Sequence, residues 1–234
     1  MKITDLDGIV VVTGTDTDAG KTVTTAVIAS ALKQAGKDVL IIKPYQTGLA
    51  PGEPGDVHDA GRLAGIDREN LLEYVRCPEP LAPTTSAARA GMTIPSIDEV
   101  AARVLVDSDG HDVTLVEGAG GVLVGLDNDG ATVLDLMDAL KRRGHEPHVI
   151  VATRSGLGTL NHTGLTCNAI RDRGHQVDAI IIGSWPADPD LAERCNLEEI
   201  EDAAGAPLAG VIPAGIGKDP GAVQRTALTL GETQ

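Results

Sequence analysis

Aromatic residues are almost missing from this sequence: there is no phenylalanine, one tryptophan and two tyrosines. A core of stacked rings is therefore excluded. The interior must be built from Val, Leu, Ile and Ala, the residues of buried parallel strands and their covering helices. Cysteine is scarce too, with Cys77, Cys167 and Cys195 far apart and no CxxC pair. The odd, scattered count argues against a disulfide framework and fits plain thiols in a reducing cytoplasm. No apolar run approaches the roughly 18 residues that a membrane span needs. Acidic Asp5 and Asp7 precede the first short apolar run, so the basic start of a secretion signal is missing as well. Positive charge is in deficit: Lys and Arg number 19 against 34 Asp and Glu, a formal net charge of −15. Such a surface repels nucleic acid and anionic membranes, and neither is expected as a partner. It also repels nucleotides mildly, so any phosphate site has to be locally positive.

What is present is a rhythm. Short apolar runs rich in β-branched residues occur at Ile9–Thr13, Val39–Lys43, Val113–Glu117, His148–Thr153, Val177–Gly183 and Leu208–Ile212. Each suits a strand covered on both faces. Helical signals lie between them. Thr22–Ala35 carries apolar positions at Val23, Val27 and Ala31 and stops at Gly36. A second helix starts near Thr132, with Asp135 in its first turn, and closes on Lys141-Arg142-Arg143-Gly144. There is no internal repeat, and Leu49–Gly55, rich in Pro and Gly, reads as a loop. The alternation predicts a single α/β domain over residues 1–234, with a doubly wound, mostly parallel sheet. Ligands of such sheets sit beyond the carboxyl ends of the strands.

The residues after the strands carry the chemistry. The first strand runs into Gly14-Thr15-Asp16-Thr17-Asp18-Ala19-Gly20-Lys21-Thr22, and a helix follows. Glycines let backbone N–H groups wrap phosphate oxygens, the helix start adds its dipole, the lysine reaches the outer phosphates, and the threonine hydroxyl suits magnesium. In the usual form of this loop Thr15 would be a glycine; here Gly14 stands one residue earlier and the loop is one longer. Glu117 ends a strand and precedes Gly118-Ala119-Gly120-Gly121, where a carboxylate is placed to hold magnesium directly or through water. Asp56 and Asp59, in the loop region after the second strand, are candidates for another oxygen ligand. Lys43, at the end of that strand, should face the phosphate loop. Lys21 and Lys43 together could then neutralise a transferring phosphoryl group and a second anion beside it.

These segments, with Lys43-Pro44, Thr47-Gly48, Pro80-Leu81-Ala82-Pro83 and Gly158-Thr159-Leu160-Asn161-His162, occur in the order found in dethiobiotin synthetase, and the chain resembles that family over roughly residues 9–215. The resemblance implies a P-loop fold of the group that includes MinD and the nitrogenase iron protein. It also implies the chemistry. One amine of 7,8-diaminopelargonate captures CO2 as a carbamate. The carbamate attacks the γ-phosphorus of ATP or another nucleoside triphosphate such as CTP. The second amine then closes a ureido ring and releases phosphate. Carried over by position, Thr22, Asp56 and Glu117 hold magnesium, while Lys21, Lys43 and Thr17 serve the carbamate and the phosphoryl group. Asp16, Thr17, Asp18, Ala19, Gly20, Val23, Gly118, Gly120 and Gly121 surround the nucleotide. Ser184, Trp185, Pro213, Ala214 and Gly215 lie where its base is expected. Thr17, Thr47, Gly118, Leu157, Gly158, Thr159 and Asn161 are expected at the substrate, the Gly156–Asn161 stretch reaching the site of the other subunit of a homodimer.

The chain departs from the family at two places. Gly156 stands where some relatives carry lysine, and Ser184-Trp185 stands where well-known relatives carry an Asn-Asp pair that reads adenine. A partition- or division-type ATPase of the same group is the main rival. Those proteins place a second lysine five residues before the loop lysine, a position that is Asp16 here, and they often carry a basic or amphipathic patch that this acidic chain lacks. A cobyrinate-type amidotransferase would need a glutaminase domain, for which 234 residues leave no room.

Overall fold

The computed structural model describes residues 2–50 and 52–227. Pro51, in the stretch read as a loop, and the end of the chain from residue 228 lie outside the described residues.

Seven strands form one sheet among the described residues: β1 (Gly8–Gly14), β2 (Val39–Thr47), β3 (Leu71–Cys77), β4 (Val113–Glu117), β5 (His148–Thr153), β6 (Ala179–Trp185) and β7 (Leu208–Pro213). Their order is β3-β2-β4-β1-β5-β6-β7, and every neighbouring pair is parallel. From β1 the chain runs out to one edge through β2 and β3. It returns to fill the gap with β4, then runs to the other edge through β5, β6 and β7. Helices α1 (Lys21–Gln34), α2 (Asp56–Ala64) and α8 (Pro220–Ala227) cover one face. The other carries α3 (Pro83–Ala90), α4 (Ile97–Asp107), α5 (Val133–Arg142), α6 (Thr159–Asp172) and α7 (Leu191–Ala204). Both interfaces are mostly aliphatic, with Tyr45, Tyr74 and Trp185 joining the second of them.

The helix signals act as expected. Gly36 takes φ +85° and ends α1. Thr132 caps α5, its hydroxyl accepting from the backbone N–H of Leu134, and Asp135 accepts from the Thr132 N–H at 2.7 Å. Three strand readings need correction. Strand β3 has no counterpart among the predicted strands, because Leu71-Leu72-Glu73-Tyr74-Val75-Arg76 is a half-exposed edge that carries charge. Pairing with β3 extends β2 to Thr47, so Lys43 lies mid-strand instead of at its end. The sixth strand begins at Ala179 and runs on to Trp185, later than Val177–Gly183.

Candidate active site

The phosphate loop leaves β1 at Gly14, the glycine one residue earlier than usual. A Cβ at Gly14 would lie 3.1 Å from Cγ of Lys21 and 3.2 Å from the Ala152 carbonyl oxygen. The glycine sits where it does because the Lys21 stem folds over it. At the far end of the loop Gly20 takes φ +89°, and its backbone lies against Gly183 of β6. A Cβ on Gly183 would be 2.2 Å from the Ala19 carbonyl oxygen. Loop and strand are thus in direct backbone contact. Helix α1 starts without a side-chain cap, so its first N–H groups are left for an anion.

Two lysines meet above this loop in different circumstances. Lys43 Nζ donates to Glu117 Oε1 at 2.8 Å and to the Gly118 carbonyl at 3.0 Å, and pairs with Asp56 Oδ2 at 2.9 Å. An ammonium has three donors, and here all have partners. Lys21 Nζ instead donates to the Asp16 carbonyl at 2.9 Å. Burial, then the charge of Lys43, pushes Lys21 down from an ordinary 10.5 to about 8, against the pull of Glu117, Asp56 and Asp16. Burial also acts to lower Lys43, but the carboxylates of Glu117 and Asp56 outweigh it and raise the lysine.

The oxygen donors fit a magnesium ion. Thr22 Oγ1 donates to Glu117 Oε1 at 2.9 Å, so hydroxyl and carboxylate already touch. The second carboxylate oxygen, Glu117 Oε2, is buried with no hydrogen-bond partner. An orphaned carboxylate oxygen beside a hydroxyl and the Asp56 carboxylate is the hard donor set that magnesium takes, with phosphate and water completing the shell. No cluster of three or more His, Cys, Asp or Glu suited to a metal occurs among the described residues. A magnesium ion held by one or two carboxylates does not require one.

A cleft of about 680 Å³ opens over these groups. Thr17, Asp18, Gly20, Lys21, Thr22 and Val23 line it together with Lys43, Thr47, Asp56, Glu117 and Gly120. Tyr45, Leu49, Pro80, Leu81, Pro83 and Val124 add an apolar flank, which gives the Pro80–Pro83 motif a place. A larger hollow of about 790 Å³ lies among Gly8, Ile9, His111, Thr114 and His148, at the amino ends of the strands and away from the phosphate loop. In open parallel sheets the carboxyl ends carry the ligand, so the smaller cleft is the candidate site.

Other predicted residues fall around this cleft or away from it. Ala19 is buried under the loop, Gly118 serves Lys43 through its carbonyl, and Gly121 packs on Thr15. Asp16 is exposed and pairs with Arg154 at 3.3 Å. Asp56 and Asp59 stand on the first turn of α2, not in a loop, and Asp59 turns to Arg62. Ser184 is exposed, while Trp185 is half-buried against the aliphatic core beside Pro213, its carbonyl accepting from Ala214 N–H at 2.7 Å. Gly215, φ +83°, follows. Leu157, Gly158 and Asn161 are exposed outside the chain's own cleft. The Thr159 hydroxyl is buried and occupied by the Arg154 carbonyl and by Thr153. Sequence reasoning missed Arg154, whose Nη2 donates to the Thr17 carbonyl at 2.7 Å. Its position directly after β5 was the available signal.

A family model described as an AAA domain matches residues 9–217. The chain is 49% identical over 210 residues to the ATP-dependent dethiobiotin synthetase BioD of Rhodococcus jostii, covering 90% of this chain and 88% of that protein. It is 45% identical over 219 residues to the protein of the same name from Streptomyces coelicolor, covering 94% and 89%. Among solved structures it resembles the MinC:MinD cell division protein complex of Aquifex aeolicus, with a TM-score of 0.56, 17% identity and coverage of 97% and 96%. At that identity the likeness shows the fold alone.

Proposed function

This chain belongs to the family of ATP-dependent dethiobiotin synthetases, and from that premise we propose that its cleft converts 7,8-diaminopelargonate, CO2 and a nucleoside triphosphate to dethiobiotin. The observation that carries the reading is the meeting of Lys21, Lys43, Thr22, Asp56 and Glu117 in one cleft at the start of α1. A carbamate has no good leaving group at neutral pH until it is phosphorylated, so the enzyme needs one place for two anions. The loop N–H groups and Lys21 hold the triphosphate and take up charge on the moving phosphoryl group. Lys43, on β2, serves the carbamate. The apolar flank of Tyr45, Leu49 and Leu81 accepts the aliphatic chain and keeps water from the mixed anhydride. Thr22, Asp56 and Glu117 would hold magnesium, which supplies charge neutralisation of the phosphates when bound.

The homodimer is part of the proposal. Leu157 is 91% exposed, on a stretch that misses its own cleft, as a segment that completes a neighbour's substrate site would be. Light scattering during turnover should then find a dimer; a fully active monomer at every concentration refutes this. A cytoplasmic location also belongs here. It is supported by free thiols at all three cysteines. The partition-type switch is disfavoured: Asp16, in its signature lysine position, is tied to Arg154.

Product analysis tests the reaction. Purified protein with diaminopelargonate, bicarbonate, magnesium and ATP or CTP should yield dethiobiotin by mass spectrometry, one phosphate per product. Nucleotide hydrolysis without dethiobiotin would overturn the assignment.

A further inference from the structure

Edge strand β3 carries charges that a mere edge does not need. Arg76 grips Glu73 through Nε and Nη2, each at 2.8 Å, and the two side chains are only 19% and 15% exposed. A bidentate pair so shielded is fixed in place in a way that open surface pairs are not. The third guanidinium nitrogen, Nη1, donates to the carbonyls of Ala50 at 2.9 Å and Glu53 at 2.7 Å. Arg76 thereby fastens the stretch between β2 and α2 to β3.

That stretch ends on Gly55, which lies flat against the pair. A Cβ there would sit 2.4 Å from Glu73 Oε2, 2.9 Å from Gln46 Oε1 and 3.0 Å from Arg76 Nη2. The next residue is Asp56. Its N–H donates to Gln46 Oε1 at 2.9 Å, and its carboxylate receives Lys43 at 2.9 Å. The Gln46 amide is itself oriented, Nε2 donating to the Thr47 carbonyl at 3.1 Å. A continuous set of contacts therefore runs from β3 to the Asp56 carboxylate, and neither Arg76 nor Glu73 lines the cleft.

We propose that Arg76 and Glu73 form a brace that sets the position of Asp56, making them positioning residues for the reaction. The inference rests on the reading of Asp56 as a working residue of the cleft. Displacements of about 1 Å in such groups typically cost on the order of 10²-fold in rate. Arg76→Ala should lower kcat/KM about 10- to 100-fold with the fold retained by circular dichroism. Arg76→Lys keeps the charge but loses the fork, and should recover part of the loss.

A double-mutant cycle separates positioning from general support. If the brace acts through Asp56, Arg76→Ala should change activity less than about twofold in an Asp56→Asn background. Multiplicative losses in that background would overturn the proposal, as would near-normal activity of Arg76→Ala alone. If Arg76→Ala does not fold, Glu73→Gln, which weakens the grip without removing volume, is carried through the same cycle with the same criteria. A fully active Asp56→Asn protein would instead remove the site reading of Asp56, and the brace with it.

Discussion

Replacing Lys21 by methionine should stabilise the ligand-free protein while destroying its activity. The substitution keeps an unbranched stem over Gly14 and removes the charge. Lys21 is 8% exposed and shares the cleft with the Lys43 ammonium, so its pKa is held at about 8 against an ordinary 10.5. At pH 7 both folded and unfolded chains carry the proton, and keeping the folded ammonium charged costs about 3 kcal/mol by linkage. Between about 8 and 10.5 the unfolded chain binds more protons than the folded one, so the wild type gains stability as pH rises through that window. Against this, the variant loses the hydrogen bond from Lys21 to the Asp16 carbonyl, worth about 1 kcal/mol, on an exposed stretch where water can replace it. The net expectation at pH 7 is a gain of about 1–3 kcal/mol. Urea unfolding without nucleotide or divalent cation measures it, at pH 7 and again near pH 10, where the gap should shrink. Turnover should fall on the order of 10²-fold or more, because in the proposed reaction the lost charge faces the moving phosphoryl group. A variant less stable than wild type at pH 7, or a gap that widens with pH, refutes the reasoning.

Lys43→Met should act in the opposite sense on stability, costing about 3–5 kcal/mol, because it strands the buried Glu117 carboxylate. In kinetics it should weaken use of diaminopelargonate strongly and nucleotide affinity much less; equal losses in both KM values would argue against the carbamate role. Gly183→Ala, with its Cβ driven onto the Ala19 carbonyl, should raise the nucleotide KM at least about tenfold by shifting the loop, and an unchanged KM would show that β6 does not support it. For the base, kcat/KM compared across ATP, CTP, GTP and UTP should show weak selection. Ser184 offers one short hydroxyl and Trp185 packs on the core, so a preference for ATP above about 10³-fold would mean adenine is read by other groups.

The strands legible in the sequence were those buried on both faces. Val113–Glu117 and His148–Thr153 have the predicted bounds because strands held between two helical layers are mostly apolar. Strand β3 was not legible because an edge tolerates Glu73 and Arg76, and their partners, Ala50, Glu53 and Gly55, are scattered through a stretch that reads only as a loop. The cleft followed the same division. Lys21, Thr22, Lys43 and Glu117 were marked by local motifs and by the rule that strand ends carry ligands. Arg154 and Gly183 were not singled out for their roles, since both depend on β5 lying next to β1 and β6 next beyond it, and that is a property of the sheet order. Asp56 was singled out by position, as a residue of a loop, whereas the structure puts it on the first turn of α2.

The acidic composition demanded a locally positive phosphate site, and two lysines in one cleft look like the whole answer. The geometry divides the work differently. Lys43 is matched by Glu117, Asp56 and a carbonyl, so in the ligand-free protein it contributes little net positive charge. Asp16, an acid at the mouth of the loop, is tied to Arg154 instead of standing free against an incoming phosphate. What remains unmatched is Lys21, bonded only to a neutral carbonyl, together with the uncapped start of α1. An arriving triphosphate therefore meets a positive site made by one uncompensated lysine and a helix terminus. In the proposed reaction, the stability forgone by keeping Lys21 charged would be recovered when phosphate takes the place of the Asp16 carbonyl, so that the cost and the proposed catalytic role belong to the same side chain.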